Sequence, residues 1–541
     1  MRFLWERFKA RRYVFFVYLY LTHSFCYNVC MKDFCGKWIL RLVLIICGLL
    51  ALWMLISRFR VPHLGFMYDE VYSWATANPA HAWGIVWQEV LLQDVNLPLF
   101  NIFLRGWAHV LPPTLPWMRL FSALCSFLTI PAAWYLAPHS WSRLQKGIFC
   151  LLLAASCPLT QYASVLRCYS LGVLLCVIFT LLALQIAQGI IHRQSVAYWK
   201  WGLFWLAGLC AAYTHYFATA LFFITSLFLF LVACIYKQNR VWIVGSTAVA
   251  LCLWFPWLWH VEKLLTNPQS AWWIHTSSTL ASWQILEFVF GNIYVAAGII
   301  AFLIVGFISF LFNRIKWQEE GLPAGLALFQ ILILVGVVSF ISAQHNLWLE
   351  RYFVFLVPSL CLLLTCLLMH LGHRWSGWWI VLALIVGSNA WIYEEKYALS
   401  PKDVSGLEEA FRYVHEMGYD RVLVLYDRVT YPPAVSKWVL EYFIPKDISL
   451  ELITLTPENA TRMQKPEGLA LVAPLGSFSV LMEASQRYHF DIDSPRAVFK
   501  QTSVLIDPQV ANQFMFVVDL PSHAFGAPLV GMVDRVGIDC G

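Results

Sequence analysis

Apolar runs of about twenty residues recur from residue 38 to residue 393 of this chain, and they leave it few folds to choose from. Inside a bilayer every backbone N–H and C=O must find a partner within the protein, so a run that crosses lipid has to be a helix or part of a closed barrel. Runs of this length suit helices, which rise about 1.5 Å per residue across a hydrocarbon core of about 30 Å. The whole chain of 541 residues is 60% hydrophobic and only 13% charged, whereas soluble domains carry about 25% charged residues. Spans are expected at 38–57, 117–137, 147–165, 168–189, 199–214, 216–235, 241–260, 292–312, 322–343, 352–371 and 376–393, about eleven in all.

The few charges give this bundle a direction. Arg143 and Lys146, Arg193 and Lys200, Lys237 and Arg240, Arg314 and Lys316, and His373 with Arg374 fall in alternate connections, on the same side as a basic N-terminus. Basic connections stay in the cytoplasm, so the other connections and everything after 394 are expected outside. The net charge of +6 reports this orientation, and no nucleic-acid partner is expected. Residues 1–37 read as a basic cytoplasmic segment whose apolar stretch Tyr13–Tyr20, flanked by Arg and Lys, suits an interfacial helix better than a span. Most cysteines sit inside apolar runs, where they pack as small hydrophobes. Cys26, Cys30 and Cys35, with His23, match no zinc spacing well.

Two soluble parts interrupt the pattern. The first outer loop, 58–116, contains Val71–Ala77, Trp83–Leu92 and Leu97–Val110, amphipathic pieces too short to span and expected to form a shelf on the outer surface. From 394 to 541 the composition changes to that of an α/β domain. Strands are expected at Arg421–Tyr426, Gly468–Ala473 and Gln513–Leu520, and helices at Gly406–Gly418 and Ser479–Tyr488. No phosphate loop or GxGxxG fingerprint occurs in it.

The outer side gathers the chemistry. Asp69-Glu70 follows the first span and Asp94 lies further along the shelf. Arg119 opens the second span, Arg167 and Tyr169 lie between the third and fourth, and His215 sits in the turn Tyr213–Tyr216. Glu350, Arg351 and Tyr352 precede the tenth. Carboxylates are costly beside hydrocarbon and need a use there. Arginine forks bind phosphate bidentately, and a carboxylate near a hydroxyl can act as general base. Plain readings stand beside these: Arg119 and Arg167 snorkelling to the interface, Glu350 and Arg351 paired locally, His215 a satisfied polar residue, and the tyrosines members of an aromatic belt.

In order and sidedness these segments resemble the GT-C superfamily of glycosyltransferases, near its protein mannosyltransferase and aminoarabinose transferase branch. The resemblance rests on Asp69-Glu70, on Asp94-Val95-Asn96-Leu97-Pro98-Leu99-Phe100, and on Arg119-Leu120-Phe121-Ser122. Tyr162 through Tyr169, Thr214-His215-Tyr216, Phe255-Pro256-Trp257 and Glu350-Arg351-Tyr352 complete it. The chain departs from the pattern at Asn96 and Leu97, where His and Pro are usual, and at Val165, where Glu is usual.

The resemblance implies a polytopic α-helical membrane protein, GT-C-like, with a C-terminal soluble α/β domain. It implies an inner-membrane enzyme that moves a sugar from a polyprenyl-phosphate donor to a lipid, glycan or protein acceptor on the extracytoplasmic face. Asp69, Glu70 and Asp94 would be catalytic; Arg119, Arg167, Tyr169, His215, Glu350, Arg351 and Tyr352 would bind substrate. A divalent metal at Asp94 stays open, as do two other classes, an inactive lipid-binding relative and a lipid-linked sugar transporter. Transporter sites, however, lie near the midplane on broken helices.

Overall fold

The computed structural model describes residues 34–60, 68–92, 97–265, 284–287, 289–290, 292–312, 320–343, 347–372 and 378–398, then four strands and Trp438. The first thirty-three residues lie outside that set, as do the helices expected at 406–418 and 479–488.

Among the described residues, helix fills most of each segment expected to span. The helices are α1 (Phe34–Ser57), α2 (Tyr68–Ala77), α3 (Leu99–Val110), α4 (Leu115–Leu136), α5 (Arg143–Ala154), α6 (Tyr169–Ile191) and α7 (Tyr198–Ala212). They continue with α8 (Tyr216–Tyr236), α9 (Arg240–Leu265), α10 (Ile293–Phe312), α11 (Leu322–Ser342), α12 (Val357–Gly372) and α13 (Trp379–Ile392). Seven stretches are long and apolar enough to cross a membrane: Leu40–Ser57, Leu115–Leu136, Tyr169–Ile191, Tyr216–Tyr236, Arg240–Leu258, Leu322–Ser342 and Glu350–Gly372. The other four expected spans are helical but shorter among the described residues, so length and composition carry seven crossings there.

One expectation is corrected. The run 147–165 is not a single helix: α5 stops at Ala154, and a short helix, Cys157–Gln161, follows. Ser156 is extended, and Pro158 sits in the first turn of the new helix, a position where its missing N–H costs nothing. Arg58 closes the break. Its guanidinium donates to the carbonyls of Leu153 and Ala154, at 2.7 and 3.0 Å, and to Ser126 Oγ at 3.0 Å. A cation at the C-terminal carbonyls of a helix is favoured by the helix dipole.

The core is built around α6. Of its apolar window 83% is buried, as is 89% of the span Glu350–Gly372, against 22% for α1 and for the start of α9, so α6 is sheathed by protein while α1 and α9 face outward. It packs on α4, α7 and α8. Gly208 of α7 lets the Phe222 ring lie against the helix backbone; any Cβ there would collide with it. Phe222 in turn meets Phe179, Phe204 and Trp205 edge-on or tilted.

A polar knot registers four helices. Gln330 of α11 donates to Thr180 of α6 at 3.0 Å and Thr225 of α8 at 2.8 Å, and accepts from Ser359 of α12 at 2.7 Å. All four are buried. Near the end of the bundle away from the shelf, His370 of α12 joins Glu320 at 2.9 Å and Ser309 of α10 at 3.3 Å.

The shelf is α2, a helical turn at Trp83–Leu91, and α3, as expected. It is tied to the bundle where Leu99 N donates to the Tyr213 carbonyl and where Leu97 and Trp257 pack with Leu92, Tyr213 and Tyr216.

Beyond the bundle, β1 (Arg421–Tyr426), β2 (Ser449–Thr454), β3 (Leu469–Pro474) and β4 (Met515–Leu520) form one sheet in the order β2-β1-β3-β4. The first three are parallel, with Arg421 opposite Ser449 and Leu469; β4 runs antiparallel to β3.

Interhelical hydrogen bonds in membrane proteins are worth about 0.6–2 kcal/mol each. Gln330→Leu should therefore lower the thermal midpoint in detergent, and Thr180→Val made on top of it should add little. Fully additive losses would show that the knot does not act as a unit.

Candidate functional site

Glu70 is the centre of the outer end. Arg119 Nε donates to its Oε1 at 2.9 Å and Arg119 Nη2 to its Oε2 at 2.5 Å, a two-pronged pair. The same Oε1 accepts the backbone N–H of Leu166 at 2.7 Å. Glu70 is 1% exposed and Arg119 2%. One carboxylate thus joins the shelf helix α2, the start of α4 and the loop that carries Arg167. Geometrically this is a tie between three elements, and both charges are enclosed in it.

Two residues further along α2, Tyr72 offers its ring to the Arg167 guanidinium at 5.8 Å. Tyr169 at the tip of α6 meets Tyr162 edge-on at 4.8 Å. His215 N-caps α8: its Nδ1 accepts the N–H of Phe217 at 3.2 Å. That bond assigns the remaining proton to Nε2. Around the imidazole lie Phe355 at 4.5 Å, Tyr352 at 5.0 Å and Tyr169 at 6.1 Å between ring centroids.

Two local devices build this cage. Glu350–Leu356 is a 3₁₀ helix, in which residues three apart eclipse, so Tyr352 and Phe355 share the edge that meets His215. Gly172 of α6 has no Cβ to meet the Phe355 ring, which presses against the helix at that point.

Both arginines act on His215. Burial among the rings, and then the charges of Arg167 and Arg351, push its pKa down to about 3. The ring keeps a partial opening, and the cause stands on the two cations as well as on the aromatic wall. Tyr169 also lies within electrostatic reach of Arg351 and Arg167, and Arg351 stands over the Tyr352 ring at 5.9 Å. The result is a neutral imidazole with an N–H to offer, between two guanidiniums and beside two phenols. That set is complementary to a phosphate.

Of the residues expected from sequence, Arg167, Tyr169, His215, Arg351 and Tyr352 come together, with Glu350 half-buried at the head of the same 3₁₀ helix. Glu70 and Arg119 come together in the buried tie, which holds the backbone one residue before Arg167. Asp69 is placed on α2, its side chain outside the described residues; Asp94 is outside them altogether. Among the described residues no group of three or more His, Cys, Asp or Glu side chains is arranged to hold a metal. Tyr72 and Phe355 were not singled out in the sequence. Each lies three positions from a residue that was, Asp69 and Tyr352, and helical spacing was the available signal.

No protein-family model matches the sequence, and no curated protein matches it. The architecture is nonetheless a known one: the chain shares a fold, of the GT-C type, with the solved structures that follow, as its motifs suggested. It is similar to ArnT, the aminoarabinose transferase, from Cupriavidus metallidurans in the apo state, with a TM-score of 0.51 and 14% identity over 90% of this chain and 98% of that one. The same neighbour bound to undecaprenyl phosphate gives a TM-score of 0.51 and 12% identity, covering 88% and 97%.

Removing one partner of a buried ion pair typically costs about 3–5 kcal/mol. Glu70→Ala and Arg119→Ala should each lower thermal stability by that order, and the double variant by far less than their sum. If Glu70 were instead a reacting group, Glu70→Ala would lose turnover with stability intact. A second expectation concerns pH. The folded protein holds His215 neutral down to about pH 3, whereas unfolded chain protonates it near pH 6.5. The unfolded state therefore binds more protons between those values, and this contribution to stability is full above about 6.5 and lost as pH falls. Thermal melts from pH 7 to pH 4 should decline less steeply in His215→Asn than in the unaltered protein.

Proposed function

We propose that this protein is a membrane glycosyltransferase that takes a sugar from a polyprenyl-phosphate donor and gives it to an acceptor hydroxyl on the extracytoplasmic face of the inner membrane. The observation that carries the reading is the convergence of Arg167, Arg351 and neutral His215 at one end of the bundle. The fold supports it, and so does the lipid phosphate found in a neighbour of that fold. The basic connections beginning α5, α7 and α9 lie at the opposite ends of their helices, and the positive-inside rule then makes the site face outward. With eleven crossings the C-terminal strands stand on the same side.

In this mechanism Arg167 and Arg351 hold the donor phosphate, with His215 Nε2 donating a further hydrogen bond. The acceptor oxygen attacks the anomeric carbon from the face opposite the phosphate and inverts it. The C–O bond to phosphate breaks as the new bond forms, and its electron pair leaves with the polyprenyl phosphate. Positioned cations stabilise that developing charge. Asp69, in the first turn of α2, takes the acceptor proton. Asp94 orients the acceptor, and no step is assigned to a metal. Glu70 and Arg119 hold the frame: their pairing keeps Arg167, one residue beyond Leu166, beside Tyr72. Which sugar and which acceptor are used depends on groups beyond this set.

General-base catalysis is worth about 10²–10⁴-fold. In nanodiscs supplied with a panel of polyprenyl-phosphate sugars and acceptors, release of polyprenyl phosphate should fall by that factor in Asp69→Asn. Binding of undecaprenyl phosphate should persist in that variant and weaken in Arg167→Ala and Arg351→Ala. Unchanged turnover in Asp69→Asn would remove that residue from the chemistry. Binding without release by the unaltered protein would make it a lipid-binding relative.

A further inference from the structure

The segment that carries Arg167 starts at the break after α5, and both sides of that break are capped from other helices. A helix end leaves backbone groups without partners inside the helix. Here these are carbonyls where α5 stops and N–H groups where the short helix Cys157–Gln161 begins. Arg58, just past the end of α1, takes the carbonyls of Leu153 and Ala154. The N–H side is met by Asn389 of α13, whose Oδ1 accepts the backbone N–H of Cys157 at 2.9 Å. Its amide nitrogen donates to the Ile385 carbonyl at 2.8 Å in its own helix, and this fixes the amide's orientation, because only the nitrogen can donate there. Asn389 is buried. The short helix has no cap of its own, since the side chain of Ser156, which precedes it, makes no capping bond. α1 and α13 lie side by side, and Tyr393, the residue after α13, meets Trp53 of α1 edge-on at 5.9 Å. Two neighbouring helices thus each send one polar side chain into the break, one to either side of it.

From the break to α6 the chain is bonded to itself along its length. Thr160 Oγ1 donates to the Ser156 carbonyl at 2.9 Å. The backbone N–H of Tyr162 donates to the carbonyl of Pro158 at 3.1 Å, and that of Val165 to the carbonyl of Tyr162 at 3.3 Å. Ser170 of α6 donates to the same Tyr162 carbonyl at 3.2 Å, and the Arg167 N–H to the Val165 carbonyl at 2.8 Å. A segment linked in this way passes a shift at one end on to the other. Leu166, beside Arg167, is held by Glu70; Cys157, at the start, is held by Asn389. We propose that Asn389 is a positioning residue for Arg167, acting from the last helix of the bundle through the segment 157–166. Its effect on donor phosphate rests on the transferase reading above. Asn389 itself touches no substrate in this assignment.

The test uses the full-length protein in nanodiscs. Asn389→Leu and Asn389→Ala both remove the acceptor, the first with little change of volume, whereas Asn389→Asp keeps an oxygen for the Cys157 N–H. Hydrogen–deuterium exchange, read by mass spectrometry on the peptide covering 157–168, should quicken in the first two variants and return most of the way in Asn389→Asp. Undecaprenyl-phosphate affinity should fall about tenfold in Asn389→Leu, the scale of one buried hydrogen bond left unmade, and recover in Asn389→Asp. Made on top of Arg167→Ala, the same substitution should change affinity by less than about twofold, because groups that act through one another are not additive. Gln330→Leu, which loosens the bundle at the polar knot instead, should leave affinity unchanged. Unchanged exchange without the Asn389 acceptor, or an equal loss of affinity with and without Arg167, would overturn the positioning role. Should the unaltered protein bind no undecaprenyl phosphate, the phosphate reading of the cluster falls, while exchange at 157–168 still decides whether Asn389 holds the segment.

Discussion

A single carboxylate organises the outer end of this molecule. Glu70 accepts two hydrogen bonds from Arg119 and one from the backbone of Leu166, and through them a surface helix, a membrane helix and the loop carrying Arg167 take fixed places. Burying such a charge is expensive unless a partner charge and further hydrogen bonds compensate it; here Arg119 supplies the charge, and it and Leu166 supply three donors. What the arrangement supplies is registry. Arg167 follows the anchored Leu166, and Tyr169 follows that at the tip of the central helix, so the cluster around His215 inherits its geometry from the tie.

The cluster illustrates how a cation-rich site avoids an excess of charge. A protonated histidine between Arg167 and Arg351 would add a third cation to a place half shut off from water. The aromatic wall of Tyr352, Phe355 and Tyr169, together with the two arginines, keeps the imidazole neutral. It can then donate a hydrogen bond without contributing repulsion. Phe355 reaches its place because Gly172 leaves room for it, and Tyr352 is brought beside it by a 3₁₀ turn. Packing choices some distance from any ligand therefore decide a protonation state.

Much of this was legible in the sequence. Apolar runs located every helix of the bundle, and the sidedness of basic residues put the charged and aromatic motifs at one end. Strands at 421–426, 469–474 and 515–520 coincide within two residues with segments read as strands. The strand Ser449–Thr454 was passed over, although Leu450, Leu452 and Thr454 alternate with Glu451 and Ile453. The break after Ala154 was hidden because hydropathy continues across it; only Pro158 marks it. The sequence also could not say which member of Asp69-Glu70 would be enclosed. Neighbours in a helix point about 100° apart, so the two cannot share a role, but the choice is made by Arg119 and by a backbone N–H, and a backbone N–H leaves no trace in residue identity. Cys157 and Asn389 are 232 positions apart and carry no shared motif, so the bond between them belongs wholly to tertiary structure.

The sheathing of α6 reaches beyond packing. A helix in contact with lipid shifts or tilts when the bilayer thickens or thins. This one is largely surrounded by protein and stitched at Thr180 to Gln330 of α11, which in turn bonds α8 and α12, so it stands as a post whose height is measured against its neighbours. Tyr169 crowns that post. The distance from the bundle interior to the phosphate-shaped cluster is accordingly set by the protein, and it stays the same whether the surrounding leaflet is thick or thin.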